Sequence, residues 1–114
     1  MNHVRTIAIV GASSNQARPS FFVTKYLVDK GYKVFPLNPG IAGNEICGRK
    51  VYASLSDVPE AIDMVDIFRS SAVAASVVDE ALALKPVPKV IWMQLTVRHD
   101  EAAEKAEGAG VRVV

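Results

Sequence analysis

Short apolar runs alternate along the chain with stretches in which apolar residues recur at helical spacing. The runs have the length of buried β-strands and are rich in valine and isoleucine, as is typical of parallel strands covered on both faces. They occupy residues 6–12, 33–37, 51–52, 64–68, 89–95 and 111–114. Helical spacing runs from residue 19 to a stop at Gly31, from residue 70 or 71 to Pro86, and from residue 100 to Gly108. The predicted order is strand, helix, strand, strand, helix, strand, helix, strand.

This order predicts a Rossmann-like, doubly wound α/β fold in three layers, with helices on both faces of a mostly parallel sheet. We expect the sheet order 3-2-1-4-5, with the sixth strand at the edge. Strands one and four are then neighbours whose following connections leave in opposite directions, and ligands bind in the crevice at such a point. The crevice brings residues 11–20 opposite residues 68–71. Pro36 lacks a backbone N–H and is expected at the end of strand two or at an irregularity.

The composition and net charge of the chain argue against several classes of binding partner. The 114 residues fit one domain, 1–114, and thirteen basic against twelve acidic residues leave a net charge of +1. This balance argues against a nucleic-acid-binding surface, and the sequence has neither a run of about 20 apolar residues nor the long apolar region of a secretory signal. Cys47 is alone, so it can form no internal disulfide and has no nearby soft ligand for a metal. We therefore expect a cytoplasmic protein with no membrane, nucleic-acid or metal partner.

The strongest local signal lies between strand one and the first helix, where small and polar residues follow a glycine and a proline opens the helix. These residues are Gly11, Ala12, Ser13, Ser14, Asn15, Arg18, Pro19 and Ser20. Backbone N–H groups and the positive end of a helix dipole bind phosphate at such a position, and Arg18 can pair with it. Arg69, after strand four, adds a second cation from across the crevice. Together these features predict a site for a nucleotide-like ligand that carries a pyrophosphate.

The loop after strand one and the end of strand two do not match the sequence pattern of a dinucleotide-binding site. The loop lacks the second and third glycines of G-x-G-x-x-G, and strand two is followed by Asn38 instead of the acidic residue that binds the ribose hydroxyls of NAD. An NAD-binding regulatory module is therefore kept only as an alternative.

No set of residues indicates catalysis. His3 and His99 have no serine or cysteine nucleophile at an interpretable spacing, and nothing in the sequence indicates a lowered pKa for the Cys47 thiol. The odd spacing of Asp63 and Asp66 puts them on opposite faces, which favours structural roles over paired acid–base chemistry. We therefore expect no enzymatic activity.

Several short motifs occur in an order that resembles one family. They are Val10-Gly11-Ala12-Ser13, Arg18-Pro19-Ser20, Pro36-Leu37-Asn38-Pro39, Gly48-Arg49-Lys50-Val51-Tyr52, Val65-Asp66-Ile67-Phe68-Arg69 and Val90-Ile91-Trp92-Met93-Gln94. Over essentially its whole length the chain resembles the small, stand-alone CoA-binding proteins. That family is similar to the N-terminal domain of the succinyl-CoA synthetase α subunit.

The resemblance implies a domain that binds coenzyme A or an acyl-CoA and has no established catalytic activity. The loop 11–20 would hold the phosphates, Asn38 and Pro39 would line the nucleotide end, and Lys50 is a candidate for binding the ribose phosphate. The implied opposite wall consists of Phe68, Arg69 and Ser70. The absence of an acidic residue after strand two fits this ligand, because a carboxylate there would repel the 3′-phosphate of CoA.

Two further functions stay open at this point. The chain could be a subunit or fragment of an acyl-CoA ligase that needs a partner chain, or a regulatory interaction module that responds to bound CoA. A homo-oligomer or another protein partner is compatible with either.

Overall fold

A computed structural model of the chain describes residues 5–68, 71–84, 87–93 and 100–113. The strands are β1 (Thr6–Val10), β2 (Lys33–Leu37), β3 (Glu45–Ile46), β4 (Arg49–Lys50), β5 (Met64–Ile67), β6 (Val90–Met93) and β7 (Arg112–Val113). The helices are α1 (Pro19–Asp29), α2 (Ser71–Leu82) and α3 (Asp100–Gly108), and 3-10 turns lie at Pro39–Ile41 and Leu55–Asp57. The principal sheet has the order β2-β1-β5-β6-β7 with every neighbouring pair parallel, and β3 and β4 form a separate antiparallel hairpin.

The predicted α/β fold class is confirmed, since helices cover both faces of a parallel sheet. Predicted strands one, two, four, five and six correspond to β1, β2, β5, β6 and β7, and they lie in the expected order. One detail differs from the prediction. The expected third strand at 51–52 is reduced to a single parallel bridge between Leu37 and Tyr52.

Pro36 is one reason why segment 51–52 forms only a single bridge with β2. The Pro36 carbonyl accepts a hydrogen bond from the Tyr52 N–H at 2.9 Å on the outer edge of β2, and the Asn38 N–H donates to the Tyr52 carbonyl at 2.9 Å. The N–H and C=O groups of one strand residue point to the same side, so Pro36 lacks a donor on that same edge. Pro36 is the penultimate residue of β2, at the sheet edge where proline is tolerated.

The hairpin of β3 and β4 turns through two residues with positive φ, Cys47 at +52° and Gly48 at +77°. Positive φ at both central residues is the requirement of a type I′ turn, which asparagine followed by glycine satisfies best. The sequence pattern does not predict this hairpin, because two-residue strands are too short to show a periodicity. Cysteine at the first position holds a left-handed conformation that it rarely adopts.

Replacing Cys47 with asparagine is therefore expected to stabilise the fold. Because asparagine tolerates the left-handed region better, the free energy of unfolding should rise by about 0.5–1 kcal/mol, measured by urea denaturation. Cys47→Ala is the matched control, since it also removes the thiol but has no such preference. A Cys47→Asn variant no more stable than Cys47→Ala would contradict this account of the turn.

Apolar side chains pack on both faces of the sheet. Ile7 and Ile9 of β1 belong to one buried cluster with Leu27 of α1, while Ala8 belongs to a second buried cluster with Val78 of α2. Helix α3 contributes to this second cluster as well. β1 is thus covered on both faces, as its continuous apolar sequence predicts. The longest described helix, α2, has 12 residues, and none of the described helices is long and apolar enough to span a membrane.

Hydrogen bonds of Asp63 link the amino ends of β1, β5 and β6. One oxygen of its carboxylate accepts hydrogen bonds from the Arg5 N–H at 2.8 Å, the Thr6 N–H at 3.2 Å and the Thr6 hydroxyl at 3.1 Å. Its main chain donates to the Thr6 carbonyl and accepts from the N–H groups of Lys89 and Val90. The side chain therefore has a structural role at the amino end of the sheet, away from the crevice at the carboxyl ends of the strands.

Candidate functional site

The loop between β1 and α1 begins with a bend over the end of β2. Gly11 has φ of +87°, and the N–H groups of Gly11 and Ala12 both donate to the Leu37 carbonyl, at 3.0 and 3.1 Å. A residue with a Cβ is strained in this conformation, so glycine suits the position. The bend directs the loop over the carboxyl ends of β1 and β2.

Two side chains of the loop organise its backbone. The Ser13 hydroxyl accepts from the Asn15 N–H at 3.0 Å, and the Asn15 side chain accepts from the Ala17 N–H at 2.9 Å. The N–H groups of Ser13, Ser14 and Gln16 have no hydrogen-bond acceptor within the described parts of the chain. These donors are available to an anionic ligand.

The amino end of α1 carries no compensating negative charge. Arg18 is the N-cap residue and makes no capping bond through its side chain, Pro19 begins the helix, and the first turn has no acidic residue. The positive end of the helix dipole is therefore left to solvent or to a ligand. Arg18 is exposed, whereas Ser20 is buried with 4% of its surface accessible, so its side chain offers little surface to a ligand.

Asn38 joins this loop to the end of β2. Its side-chain amide donates to the Ala12 carbonyl at 2.9 Å, and its side-chain oxygen accepts from the Gly40 N–H at 2.9 Å. The side chain holds the two loops at a fixed separation beside the crevice. Sequence reasoning names Asn38 as a lining residue but does not anticipate this bridge, because it joins residues 26 positions apart.

An apolar cleft of about 190 Å³ opens next to the loop. The ends of β1 and β2, the 3-10 turn Leu55–Asp57 and helix α2 enclose it. The residues that line it are Val10, Gly11, Leu37, Pro39, Ala53, Ser54, Leu55, Ser76, Val77 and Glu80. Gly11 and Pro39 are among the predicted site residues, whereas the sequence analysis names no residue of the 53–55 segment or of α2. Ordinary apolar residues such as Leu55 and Val77 carry no local signal of a site.

Of the other predicted residues, the structure describes Phe68 and Lys50, and they lie in different places. Phe68 follows β5, and its N–H donates to the Val10 carbonyl at 2.8 Å, so the ends of β1 and β5 meet as the topology predicts. Arg69 and Ser70 lie outside the described residues. Lys50 is exposed on β4, with its ammonium 5.4 Å from the centroid of the Tyr52 ring. It lines a different depression, along the outer edge of β2, and is absent from the lining of the cleft.

The surroundings of Cys47 do not favour its thiolate form. Burial raises the pKa of Cys47, and the nearby Asp29 carboxylate raises it further, while the Lys25 ammonium acts in the opposite direction without reversing the shift. A raised pKa keeps the sulfur in its less nucleophilic thiol form at neutral pH.

The parallel sheet order, with helices on both faces of the sheet, defines a Rossmann-like α/β domain. Comparison of the sequence with protein families identifies the family: the model of the CoA binding domain matches residues 5–114. The chain therefore belongs to the CoA binding domain family, as its sequence motifs suggested.

Two proteins match this chain over almost its whole length. The uncharacterized protein YneT of Bacillus subtilis is 34% identical over 110 residues, which is 96% of this chain and 78% of that protein. The structure of a hypothetical protein from Pyrococcus horikoshii OT3 superposes with a TM-score of 0.91 at 38% identity, covering 99% of this chain and 77% of that one. Neither protein's description states an activity.

One larger relative is an enzyme. The ADP-forming acetate–CoA ligase of Methanocaldococcus jannaschii is 32% identical over 80 residues, which is 70% of this chain. The matched region is only 11% of the ligase. The similarity thus relates the chain to one part of that enzyme.

Proposed function

We propose that the protein binds coenzyme A or an acyl-CoA without catalysing a reaction itself. The observation that carries the proposal is the uncapped amino end of α1, with Arg18 beside it and free backbone donors in the preceding loop. The pyrophosphate of CoA would accept hydrogen bonds from these donors and pair with Arg18. Membership of the CoA binding domain family supports the same ligand.

The apolar cleft supplies a place for the nucleotide base. Pockets that enclose a whole small ligand have volumes of roughly 300–1,000 Å³, so a cleft of about 190 Å³ suits one group of the ligand. Its lining is mostly apolar and includes Pro39, which is appropriate for a flat aromatic ring. With the adenine in the cleft, the phosphates would extend over Gly11 towards the amino end of α1.

Isothermal titration calorimetry with CoA, dephospho-CoA and NAD tests this function. We expect CoA to bind most tightly, dephospho-CoA to bind more weakly because it lacks the 3′-phosphate, and NAD to bind most weakly. Absence of CoA binding, or tighter binding of NAD, would refute the proposal.

The acetate–CoA ligase relative supports a second candidate function. The domain could supply the CoA site of an acyl-CoA ligase whose remaining catalytic parts reside on a partner chain. Such a role predicts co-purification with a larger subunit and ATP-dependent formation of an acyl-CoA in its presence. A domain that binds CoA but supports no turnover with any co-purifying chain would favour the non-enzymatic function.

Gly11 provides a test of the phosphate loop with an internal control. Gly11→Ala places a Cβ on a residue with φ of +87°, while Gly31→Ala does so at +91°, in the turn after α1, where the added Cβ meets nothing within 4 Å. Both variants should lose about 1 kcal/mol of stability from backbone strain. Only Gly11→Ala should also weaken CoA binding, about tenfold, because it disturbs the loop. Equal CoA affinities of the two variants would argue against a ligand at this loop.

A further inference from the structure

Among the described residues that line the apolar cleft, Glu80 is the one ionisable residue. It lies on α2, and one oxygen of its carboxylate accepts a hydrogen bond from the Leu55 N–H at 2.7 Å. The bond fixes the 3-10 turn Leu55–Asp57 as one wall of the cleft. The carboxylate thus stands at the boundary between the wall and the space that a ligand would enter.

The carboxylate retains capacity to accept further hydrogen bonds. An ionised carboxylate has two oxygens and about four acceptor positions. Within the parts of the chain that the structure describes, the Leu55 N–H is the only hydrogen-bond donor to the Glu80 carboxylate. A ligand group in the cleft therefore meets an acceptor, and a hydrogen-bond donor is favoured there over another acceptor.

The charge of Glu80 would also orient a bound ligand. A carboxylate repels phosphate groups, so the phosphates belong at the amino end of α1 and a neutral group belongs in the cleft. Pro39, which begins the 3-10 turn after β2, lines the same cleft, as expected for the nucleotide end of the ligand. A neutral, flat group that carries N–H donors fits both the apolar walls and the carboxylate.

We infer that Glu80 recognises the base of the bound nucleotide by accepting a hydrogen bond from the exocyclic amino group of adenine. This inference rests on the proposed function. A base with a carbonyl at the same position, such as hypoxanthine, would bring an oxygen against the carboxylate and bind less well. Glu80 is then a specificity-determining residue in addition to its contact with Leu55.

The test compares CoA with its hypoxanthine analogue by titration calorimetry, for the parent protein and for Glu80→Gln. Glutamine keeps an oxygen for the Leu55 N–H but replaces the second acceptor with a donor. We expect the parent to prefer CoA over the analogue by about tenfold, as for one hydrogen bond to a charged group, and Glu80→Gln to abolish or reverse that preference. Asp79→Asn is the matched control, because Asp79 is the preceding residue on the same helix and pairs with Lys105 instead.

A preference that is unchanged in Glu80→Gln, or an equal loss of affinity for both ligands, would overturn the inference and leave Glu80 a purely structural role. Adenosine 3′,5′-bisphosphate, which has no pantetheine arm, distinguishes contact with the base from contact with that arm. If Glu80→Gln changes the affinity for CoA but not for the bisphosphate, the inference about the base is wrong. If the folded parent binds none of these ligands, the proposed function itself fails.

Discussion

Replacing Arg18 with alanine should weaken CoA binding by about 1.5–3 kcal/mol, or roughly 10- to 150-fold, if its guanidinium contacts a phosphate. Arg18 is exposed and is the N-cap residue of α1, with no capping bond from its side chain. It follows the loop in which the N–H groups of Ser13, Ser14 and Gln16 lack acceptors among the described residues. No acidic side chain forms a salt bridge with it in the described part of the chain, so no internal pair must break before it can bind a ligand. Titration calorimetry with CoA measures the loss.

Arg49→Ala is the matched control for this variant. Arg49 is an exposed arginine on β4 that lines the depression at the outer edge of β2, so its removal changes the net charge equally without touching the loop. The affinity of the Arg49→Ala variant for CoA should stay within about twofold of the affinity of the parent protein. The Arg18 contact should also weaken as salt concentration rises, since exposed charge interactions are screened beyond about 10 Å at 0.1 M. Equal effects of the two substitutions would remove Arg18 from the site.

The loop between β1 and α1, which forms one half of the candidate site, could be predicted from the sequence because it is continuous. Gly11, the polar residues after it, and Pro19 at the start of a helix form one local pattern, and local geometry decides how such a pattern folds. The meeting of the ends of β1 and β5 at Phe68 could also be predicted, since parallel topology places the carboxyl ends of neighbouring strands at one edge of the sheet.

The cleft could not be predicted in the same way. Its walls come from the end of β2, from the 53–55 segment and from α2, and the residues concerned are mostly ordinary apolar ones. Only the packing of distant segments makes them neighbours. Glu80 illustrates the difficulty: in the sequence it is one more polar residue of a helix, and its bond with Leu55 spans 25 positions.

Asp63→Asn should lower the free energy of unfolding by about 2–3 kcal/mol at pH 7, which makes it the largest stability effect that we expect. The carboxylate accepts three hydrogen bonds at the start of β1, and its other oxygen lies 3.8 Å from the Lys89 ammonium. Asparagine would turn an amide N–H₂ group or a weaker neutral oxygen towards these donors. Asp79→Asn is the control, since Asp79 and Lys105 form an exposed pair that should contribute less than about 1 kcal/mol.

The pH dependence of the free energy of unfolding distinguishes the contribution of the Asp63 charge from that of side-chain packing. Burial by itself raises the pKa of Asp63, but hydrogen bonds from Arg5 and Thr6 and the charge of Lys89 outweigh it and bring the pKa below its ordinary value. A carboxyl whose pKa is lower in the folded than in the unfolded state contributes stability above its unfolded pKa of about 4, and loses it as the pH falls through the folded value. The stability difference between the parent and Asp63→Asn should therefore be constant from pH 5 to 7 and shrink below pH 4. A difference that stays the same down to pH 3 in urea denaturation would show that packing, and not the ionised carboxylate, holds the three strands together.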